Sequence, residues 1–355
     1  MLRAFLPVAA ISSLIIYPST AIAHHNSLLR SLRATAAEIT VRIDAEAPGS
    51  GTLIAQDGNT YTVLTAQHLV AFEDNYRVVT ADGLSHSVES ITLLDNIDLA
   101  LVTFASNRPY PIARLSTFPT ASRQSIFLSG WPTPYQETSG YAFLPGELVS
   151  PPHAAPYAAD PVAKGYDLFY TNFSAAGLSG GPLLDSSGRL VGIHGRTDGT
   201  RILDTATQQS RRVQIGYSSG ISIRTFLNHA PNNLRNRLTV ETAPYDAPSQ
   251  QDLWEISFEI NSQLDGFSAF PDAIDWLNHS NRLFRSHRLI EALQAADQST
   301  QIEPELMEAW YFRSVILYEL GNFSSALTSA DLVVALAPDF GLGWRQRGLT
   351  LAALG

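Results

Sequence analysis

Residues 177–182 read Gly177-Leu178-Ser179-Gly180-Gly181-Pro182, a glycine-rich turn with one serine near its centre. A serine that attacks a carbonyl needs an exposed hydroxyl on a tight turn and backbone N–H groups that converge on the developing oxyanion. Gly177 lets the backbone point its N–H inward, because a Cβ at this position would usually obstruct it. Gly180 and Gly181 let a neighbouring strand and a substrate come close. The turn alone is weak evidence, since glycine-rich turns also occur without any chemistry.

Two stretches upstream of this turn carry the residue types that a reactive serine requires. Thr65-Ala66-Gln67-His68 follows the strand-like run 61–64, and Asp98-Leu99-Ala100-Leu101 starts thirty residues after the histidine. In the order His, Asp, Ser, the three stretches resemble the motifs T-A-x-H, D-L-A-L and G-x-S-G-G-P of the chymotrypsin/trypsin-like serine peptidases. The resemblance covers roughly residues 38–229 and implies a domain of two antiparallel β-barrels.

The resemblance gives each of these residues a role. Ser179 is the nucleophile, and His68 is the general base and then the general acid, because a serine hydroxyl is a poor nucleophile at neutral pH. Asp98 orients the imidazole and stabilises its charged form, while the N–H groups of Gly177 and Ser179 form the oxyanion hole. Asp95 is the rival acid, but it lies in a predicted turn and lacks the Leu-Ala-Leu that follows Asp98.

A more specific resemblance concerns the substrate pocket. Residues 191–195 are similar to the pocket strand of glutamyl endopeptidases, in which a His fifteen residues after the nucleophile and a Ser or Thr five before it bind an acidic side chain. In this chain those positions are His194 and Ser174. A protonated His194 would add charge to the contact, and residues 172–173 place no acid at the pocket base to suit a basic substrate. The alternative is that His194 only packs inside the barrel.

One position departs from the trypsin-like pattern. These enzymes commonly place a Ser on the strand beside the pocket, where it supports the triad Asp, but this chain has Gly195 there. The departure removes one expected hydrogen bond to Asp98 without removing the mechanism.

Short β-branched runs separated by turn signals such as Asp57-Gly58 and Asp82-Gly83 fill the chain up to about residue 223. Many short strands at this spacing predict a sandwich or barrels. We therefore predict two six-stranded barrels at residues 36–115 and 116–225, within a peptidase domain at 36–230.

The segment 231–255 is polar, contains Pro and Asn, and is predicted to be a linker. Because the two barrels are expected to have their own core, a chain ending near Pro231 is expected to fold and to cleave an unstructured substrate. The predicted fold class is thus multidomain, an all-β two-barrel chymotrypsin-like domain followed by an all-α segment.

The last part of the chain, residues 256–355, repeats itself every 34 residues. The recurring positions are Trp276, Trp310 and Trp344, then Leu283, Leu317 and Leu351, and the small residues Ser280, Ser314 and Gly348. This period resembles tetratricopeptide repeats, which are antiparallel helix pairs stacked on one another. The repeats are predicted at 273–306 and 307–340, with a partial copy at 341–355. They offer a groove for a peptide, a protein partner or a second copy of the chain.

The first residues resemble a secretory signal. Met1-Leu2-Arg3 is a short positive start, residues 4–17 are mostly apolar, and Ala21-Ile22-Ala23 is a small-x-small cleavage site. We predict a signal peptide at 1–23, cleavage after Ala23 and export to a periplasmic, lumenal or extracellular space. The rival interpretation, a membrane anchor, suits the sequence less well because the apolar run is short of the ~20 residues that a spanning helix needs.

Composition excludes several classes of site. The chain has 355 residues, a formal net charge of −10 and no cysteine, which rules out thiolate metal sites, thiol nucleophiles and disulfides. The acidic balance argues against a nucleic-acid partner. The histidines outside the motifs show no metal-ligand spacing, so no metal or organic cofactor is predicted, and no membrane contact is expected once the signal is removed.

These observations predict an exported serine endopeptidase that hydrolyses polypeptides through an acyl-enzyme and prefers Glu or Asp before the scissile bond. Two alternatives remain open at this stage. One is a catalytically weak or inactive peptidase-fold scaffold whose repeats bind a protein partner. The other is an esterase-like hydrolase, which a comparison of casein with short esters would separate.

Overall fold

The computed structural model describes residues 27–133, 140–150, 163–197, 199–203, 210–264 and 271–355. The predicted signal peptide at 1–23 lies outside these residues. Strands dominate the first two thirds of the described chain and helices the last third.

The first six strands form a closed antiparallel barrel in the order β1-β2-β3-β6-β5-β4, with β4 paired back to β1. Successive side chains in a strand point to opposite faces, and the inward set, which includes Tyr61, Val63 and Phe104, fills this barrel. The strands are β1 Thr40–Asp44, β2 Gly49–Asp57, β3 Thr60–Ala66, β4 Arg77–Val79, β5 Ser85–Leu93 and β6 Leu99–Ala105.

A second ring of six strands follows in the order β11-β8-β9-β10-β15-β12, which the pairing of β12 with β11 closes. Two short strands, β7 and β16, extend the sheet beyond β12 through parallel pairs, and β13 and β14 form a separate hairpin. The strands are β7 Leu115–Ser116, β8 Ser125–Gly130, β9 Ala142–Val149, β10 Leu168–Tyr170, β11 Pro182–Leu184, β12 Leu190–Thr197, β13 Thr200–Leu203, β14 Ser210–Val213, β15 Ser218–Ser222 and β16 Val240–Glu241.

One helix precedes the barrels, two short ones follow the last barrel strand, and the rest lie in the last part of the chain. They are α1 Leu28–Ile39, α2 Ile223–His229, α3 Asn232–Arg235, α4 Gln250–Ser262, α5 Ala273–Arg285, α6 Leu289–Ile302, α7 Met307–Glu319, α8 Phe323–Leu336 and α9 Gly341–Leu354. Two barrels followed by helices confirm the predicted fold class. Within the described residues, no helix is both long and apolar enough to cross a membrane.

The segment predicted to be a linker, residues 231–255, has secondary structure and packs on the second barrel. It contains α3, β16 and the start of α4. Leu115 N–H donates to the carbonyl of Thr239, and the buried Arg189 donates through Nη1 to the carbonyl of Ala243 at 2.7 Å. Its polar composition predicted a solvated spacer, but β7 and Arg189 supply partners that the local sequence does not reveal.

The 34-residue period of the sequence reappears in the contacts of the helical segment. Ser280 and Ser314 donate through Oγ to the carbonyls of Ala292 and Ala326, at 2.6 and 2.8 Å. Each residue pair lies in consecutive helices, so equivalent positions hold equivalent helix pairs together. The indoles of Trp310 and Trp344 likewise donate to the carbonyls of Pro304 and Pro338, both at 2.8 Å.

One hydrophobic cluster joins the helical segment to residues beside the second barrel. Val213 ends β14, and Ile215 and Tyr217 lie between β14 and β15. All three are buried in the same cluster as Leu277 and Phe284 of α5. The rings of Tyr217 and Phe284 lie 5.9 Å apart. The predicted independent peptidase domain therefore meets a structure in which the helical segment covers apolar side chains beside the second barrel.

Candidate active site

Strand register brings His68 to Asp98. β3 and β6 are antiparallel neighbours with Ala66 opposite Leu99, so the end of β3 lies beside the start of β6. His68 follows β3 on a short 3₁₀ turn, where its backbone N–H donates to Asp98 Oδ1 at 2.9 Å and its Nδ1 lies 2.8 Å from Oδ2. The two contacts fix both the position and the ring orientation of the histidine.

Asp98 is held as a carboxylate. Burial disfavours its charged form, but hydrogen bonds from His68 and from the hydroxyl of Tyr166, at 2.6 Å, outweigh burial and lower the pKa of Asp98 to about 2. The carboxyl is therefore ionised at neutral pH and can stabilise a protonated His68. Asp95, the rival acid, is exposed in the turn beside Asn96, whose φ is +63°.

Tyr166 is a site residue that the sequence motifs did not reveal. It donates to Asp98, the hydrogen bond that a serine in place of Gly195 was expected to provide. A Cβ built on Gly195 would lie 2.2 Å from Cε1 of Tyr166, so the glycine leaves the space that the ring occupies. The missing serine was the only sequence signal, because it implied a replacement donor without saying where that donor lies.

The turn around Ser179 requires its glycines. Gly177 and Gly180 have φ values of +90° and +83°, which side-chain-bearing residues rarely adopt. A Cβ at Gly177 would also lie 2.4 Å from the carbonyl oxygen of Trp131. Among the described residues, no hydrogen bond is donated by the backbone N–H of Gly177 or of Ser179. Neither predicted oxyanion-hole donor is therefore used by another residue within the described part of the chain.

The hydroxyl of Ser179 makes no hydrogen bond with His68 in this structure. It donates instead to the carbonyl of Gly195 at 3.0 Å. Ser179 and His68 nevertheless line one cavity of about 360 Å³, together with Ser174 and His194. For Ser179 to act as the predicted nucleophile, its hydroxyl must exchange its Gly195 partner for the imidazole.

Ser50 is a second residue that the sequence did not single out. Its Oγ donates to the carbonyl of Gly177 at 2.7 Å and accepts the N–H of Trp131 at 2.8 Å. Its backbone N–H donates to the carbonyl of Ser179 at 2.9 Å. Ser50 of the first barrel thereby contacts the turn around Ser179 at two carbonyls and the neighbouring Trp131 at a third point.

The two residues predicted to bind substrate are in direct contact. His194 is buried, with Nε2 2.7 Å from Ser174 Oγ and Nδ1 2.5 Å from the hydroxyl of Tyr170. Burial, followed by the positive charges of His68, Arg212 and Arg285, lowers the pKa of His194 to about 3. In the free protein, a buried imidazole without a carboxylate partner is favoured in its neutral form. Protonation of His194 beside a bound acidic side chain stays a prediction.

The side chains in and around the cavity determine its charge. Asn172, at the predicted pocket base, donates through Nδ2 to the carbonyl of Leu144 at 2.6 Å. Lys164, Arg196 and Arg212 also line the cavity, and Asp98 is its one acidic residue among those described. No group of three or more metal-ligand side chains is assembled in the part of the chain that the structure describes.

A comparison with protein families found a match to part of the barrel region. Residues 49–193 match the family model of the trypsin-like peptidase domain, a span that includes positions 68, 98, 174 and 179 and stops just before His194. A search of curated proteins found no match.

Two solved structures of one protease are similar to the chain. A serine-to-alanine mutant of Rv3671c from M. tuberculosis H37Rv, in an inactive form, is 17% identical with a TM-score of 0.42, covering 66% of this chain and 97% of that one. The Rv3671c protease in an inactive form is 19% identical with a TM-score of 0.41, covering 56% and 90%. Because both TM-scores are below 0.5, neither likeness supports a statement about the site.

Proposed function

Given a trypsin-like peptidase domain at residues 49–193, we propose that this protein is a serine endopeptidase with His68, Asp98 and Ser179 as its triad. The observation that carries the proposal is the ionised, buried Asp98 hydrogen-bonded to His68, in one cavity with Ser179. The fold implies a polypeptide substrate, and the chemistry needs no cofactor.

In the proposed reaction, Ser179 Oγ attacks the scissile carbonyl while His68 takes the hydroxyl proton. The negative charge of Asp98 stabilises the imidazolium that forms. The N–H groups of Gly177 and Ser179 donate to the oxyanion, and His68 then protonates the leaving amine. Water, activated by the same imidazole, releases the product from the acyl-enzyme.

The proposal extends to cleavage after Glu or Asp. A neutral imidazole donates through one ring nitrogen and accepts through the other. If Tyr170 donates to Nδ1 of His194, then Nε2 carries the proton and donates to Ser174 Oγ. The hydroxyl hydrogen of Ser174 is then left to donate to a substrate carboxylate. The cavity lining, with three cations and one paired acid, supports the same preference.

The experiment is labelling with a fluorophosphonate, combined with hydrolysis of a peptide library. We expect the wild type to be labelled and Ser179→Ala to be unlabelled, folded and at least ~10⁴-fold slower. Cleavage in the library is expected after acidic residues. An alanine variant with more than a tenth of wild-type activity would remove Ser179 from the mechanism, and dominant cleavage after Arg, Lys or Phe would refute the acidic preference alone.

A rival function is favoured by one observation, the hydrogen bond from Ser179 Oγ to the carbonyl of Gly195. In this rival function the peptidase fold is a weakly active or inactive scaffold, and its helical repeats bind a protein partner. The labelling experiment separates the two, because only a serine activated by His68 reacts with the phosphonate. A wild type that stays unlabelled would favour the scaffold.

For the helical segment, we propose tetratricopeptide repeats at 273–306 and 307–340 with a partial copy at 341–355. The equivalent serine and tryptophan hydrogen bonds at 34-residue spacing support this assignment. A protein partner or a second copy of the chain is the proposed ligand. Export after cleavage at Ala23 is proposed from the sequence and is tested by mass spectrometry of the mature N-terminus.

A further inference from the structure

The segment 212–218 runs from the end of β14 to the start of β15 and lies along the proposed specificity pocket. Gln214 donates through Nε2 to the carbonyl of Ser174 at 3.0 Å. Ser218 donates through Oγ to the carbonyl of Asn172 at 2.9 Å. This segment is thus attached to both ends of the stretch 172–174 that carries the pocket serine.

Helix α5 of the helical segment holds the backbone of residues 212–218, which form one wall of the proposed pocket. Asn278 Oδ1 accepts the N–H of Gln214 at 2.7 Å, and its Nδ2 donates to the carbonyl of Arg212 at 3.0 Å. Asn281 Oδ1 accepts the N–H of Gly216 at 3.0 Å. Residues spaced three and four apart share one helix face, so α5 provides the partners that a neighbouring strand would otherwise supply.

Arg285 continues this face and reaches beneath the pocket. Its Nε donates to the carbonyl of Gly216 at 2.5 Å, and its Nη1 donates to Ser218 Oγ at 3.0 Å and to the carbonyl of Asn172 at 3.2 Å. The side chain is almost completely buried, with 3% of the residue exposed. All three acceptors are neutral oxygen atoms.

A substrate carboxylate needs a positive charge that the contact residues themselves lack. His194 is neutral in the free protein, and Ser174 and Tyr170 contribute only hydroxyl groups. A guanidinium keeps its charge throughout the working pH range, and its field acts over a longer distance in a buried site than in water. The influence of Arg285 on the titration of His194 agrees with its proximity to the pocket.

We propose that Arg285, carried by the helical segment, is the positioning residue that gives the pocket its preference for an acidic side chain. The proposal rests on the acidic specificity proposed above. Arg285 acts through the pocket wall and through its charge, without touching the substrate. The helical segment is thereby part of the substrate-recognition apparatus of the peptidase.

The test uses two peptides that differ only by Glu or Gln before the scissile bond, cleaved by the full-length protein. In Arg285→Gln, we expect the Glu-to-Gln ratio of kcat/KM to fall about tenfold or more, because kcat/KM falls much further for the Glu peptide than for the Gln peptide. Arg282→Gln is the matched control, because Arg282 lies on the same helix and donates no hydrogen bond to the barrels among the described residues. That variant should keep the wild-type ratio.

Arg285→Lys covers the case in which the Gln variant does not fold. Lysine keeps the charge but not the planar fork, so a ratio within about threefold of wild type supports the proposal and a collapsed ratio in a folded Lys variant overturns it. An unchanged ratio in folded Arg285→Gln also overturns it and leaves the acidic preference standing. A wild type that does not favour Glu over Gln overturns the acidic preference, and the role of Arg285 falls with it.

The rival source of charge is Arg212, which lines the cavity but is exposed. Salt screens exposed charges much more than buried ones. We expect the Glu-to-Gln ratio to fall less than about threefold between low salt and about 0.5 M salt. A ratio that disappears in salt, and in Arg212→Gln but not in Arg285→Gln, would transfer the role to Arg212.

Discussion

The ring of Tyr166 takes the space that a side chain in place of Gly195 would need, and its hydroxyl gives Asp98 the hydrogen bond that such a side chain could have given. Gly195 and Tyr166 therefore act together, because the glycine leaves the space from which the tyrosine donates to Asp98. Burial, together with the charge of Asp98, raises the pKa of Tyr166, so its hydroxyl stays protonated and remains a donor.

This pairing predicts that positions 166 and 195 are coupled. Gly195→Ser alone should push against the Tyr166 ring and cost about 1–3 kcal/mol of stability together with most of the activity. Adding Tyr166→Ala removes the clash and lets the introduced serine hydroxyl donate to Asp98, so the double variant should be more active than Gly195→Ser. A double-mutant cycle on kcat/KM and on the free energy of unfolding measures the coupling. Strictly additive effects would contradict it.

A second prediction at this scale concerns His194 and acid stability. Its pKa is about 3 in the folded protein and about 6.5 when unfolded, so the unfolded chain binds the extra proton between these values. Stability is therefore lost as the pH falls below about 6.5, by about 2 kcal/mol between pH 8 and pH 5. Asp98, with a pKa of about 2, loses its own contribution only below this window.

Denaturant unfolding at pH 8 and pH 5 checks this expectation. His194→Gln has no proton to gain, so its stability should change at least ~1 kcal/mol less than that of wild type over the same interval. Equal pH dependence in the two proteins would show that His194 already titrates normally when folded.

At the scale of elements, sequence motifs located those site residues that lie at strand ends or in a turn. His68 and Asp98 were predictable because each adjoins a strong strand pattern, and the register of β3 with β6 brings them together. Ser179 was predictable because the glycines around it indicate a tight turn with an exposed hydroxyl. These residues depend on local sequence and on neighbouring strands.

The remaining site residues depend on contacts between distant parts of the chain. Tyr166 lies 68 residues from the carboxylate that it supports, and Arg285 lies 113 residues from Asn172. Neither belongs to a motif, since a Tyr before a strand and an Arg near a helix end are ordinary local choices. Residues 231–255 failed as a linker for the same reason, because Arg189 and β7 lie far away in sequence.

At the scale of the whole molecule, the sequence predicted that a chain ending near Pro231 folds and remains active. The shared hydrophobic cluster leads to the opposite expectation, because removing the helices exposes Val213, Ile215 and Tyr217. Burial of such a side chain contributes about 1.5–3 kcal/mol, so the shortened chain should melt well below the full-length protein.

The measurement is a thermal melt combined with cleavage of an unstructured substrate by both chains. We expect the shortened protein to be weakly active at most and to show no preference for acidic residues, since it also lacks Arg285. A shortened chain with full-length melting temperature and specificity would restore the original picture of an independent peptidase domain.

Helix α5 faces two partners at once, and this limits how the protein can be recombined. On one side, Ser280 and the carbonyl of Ala273 hold α6. On the other side, Asn278, Asn281 and Arg285 hold the wall of the cleft. A repeat array grafted from another protein would bring the first set of contacts and not the second. A functional chimera must therefore be joined after α5. The barrels then keep the helix that contacts them, and the other protein supplies only the helices that follow α5.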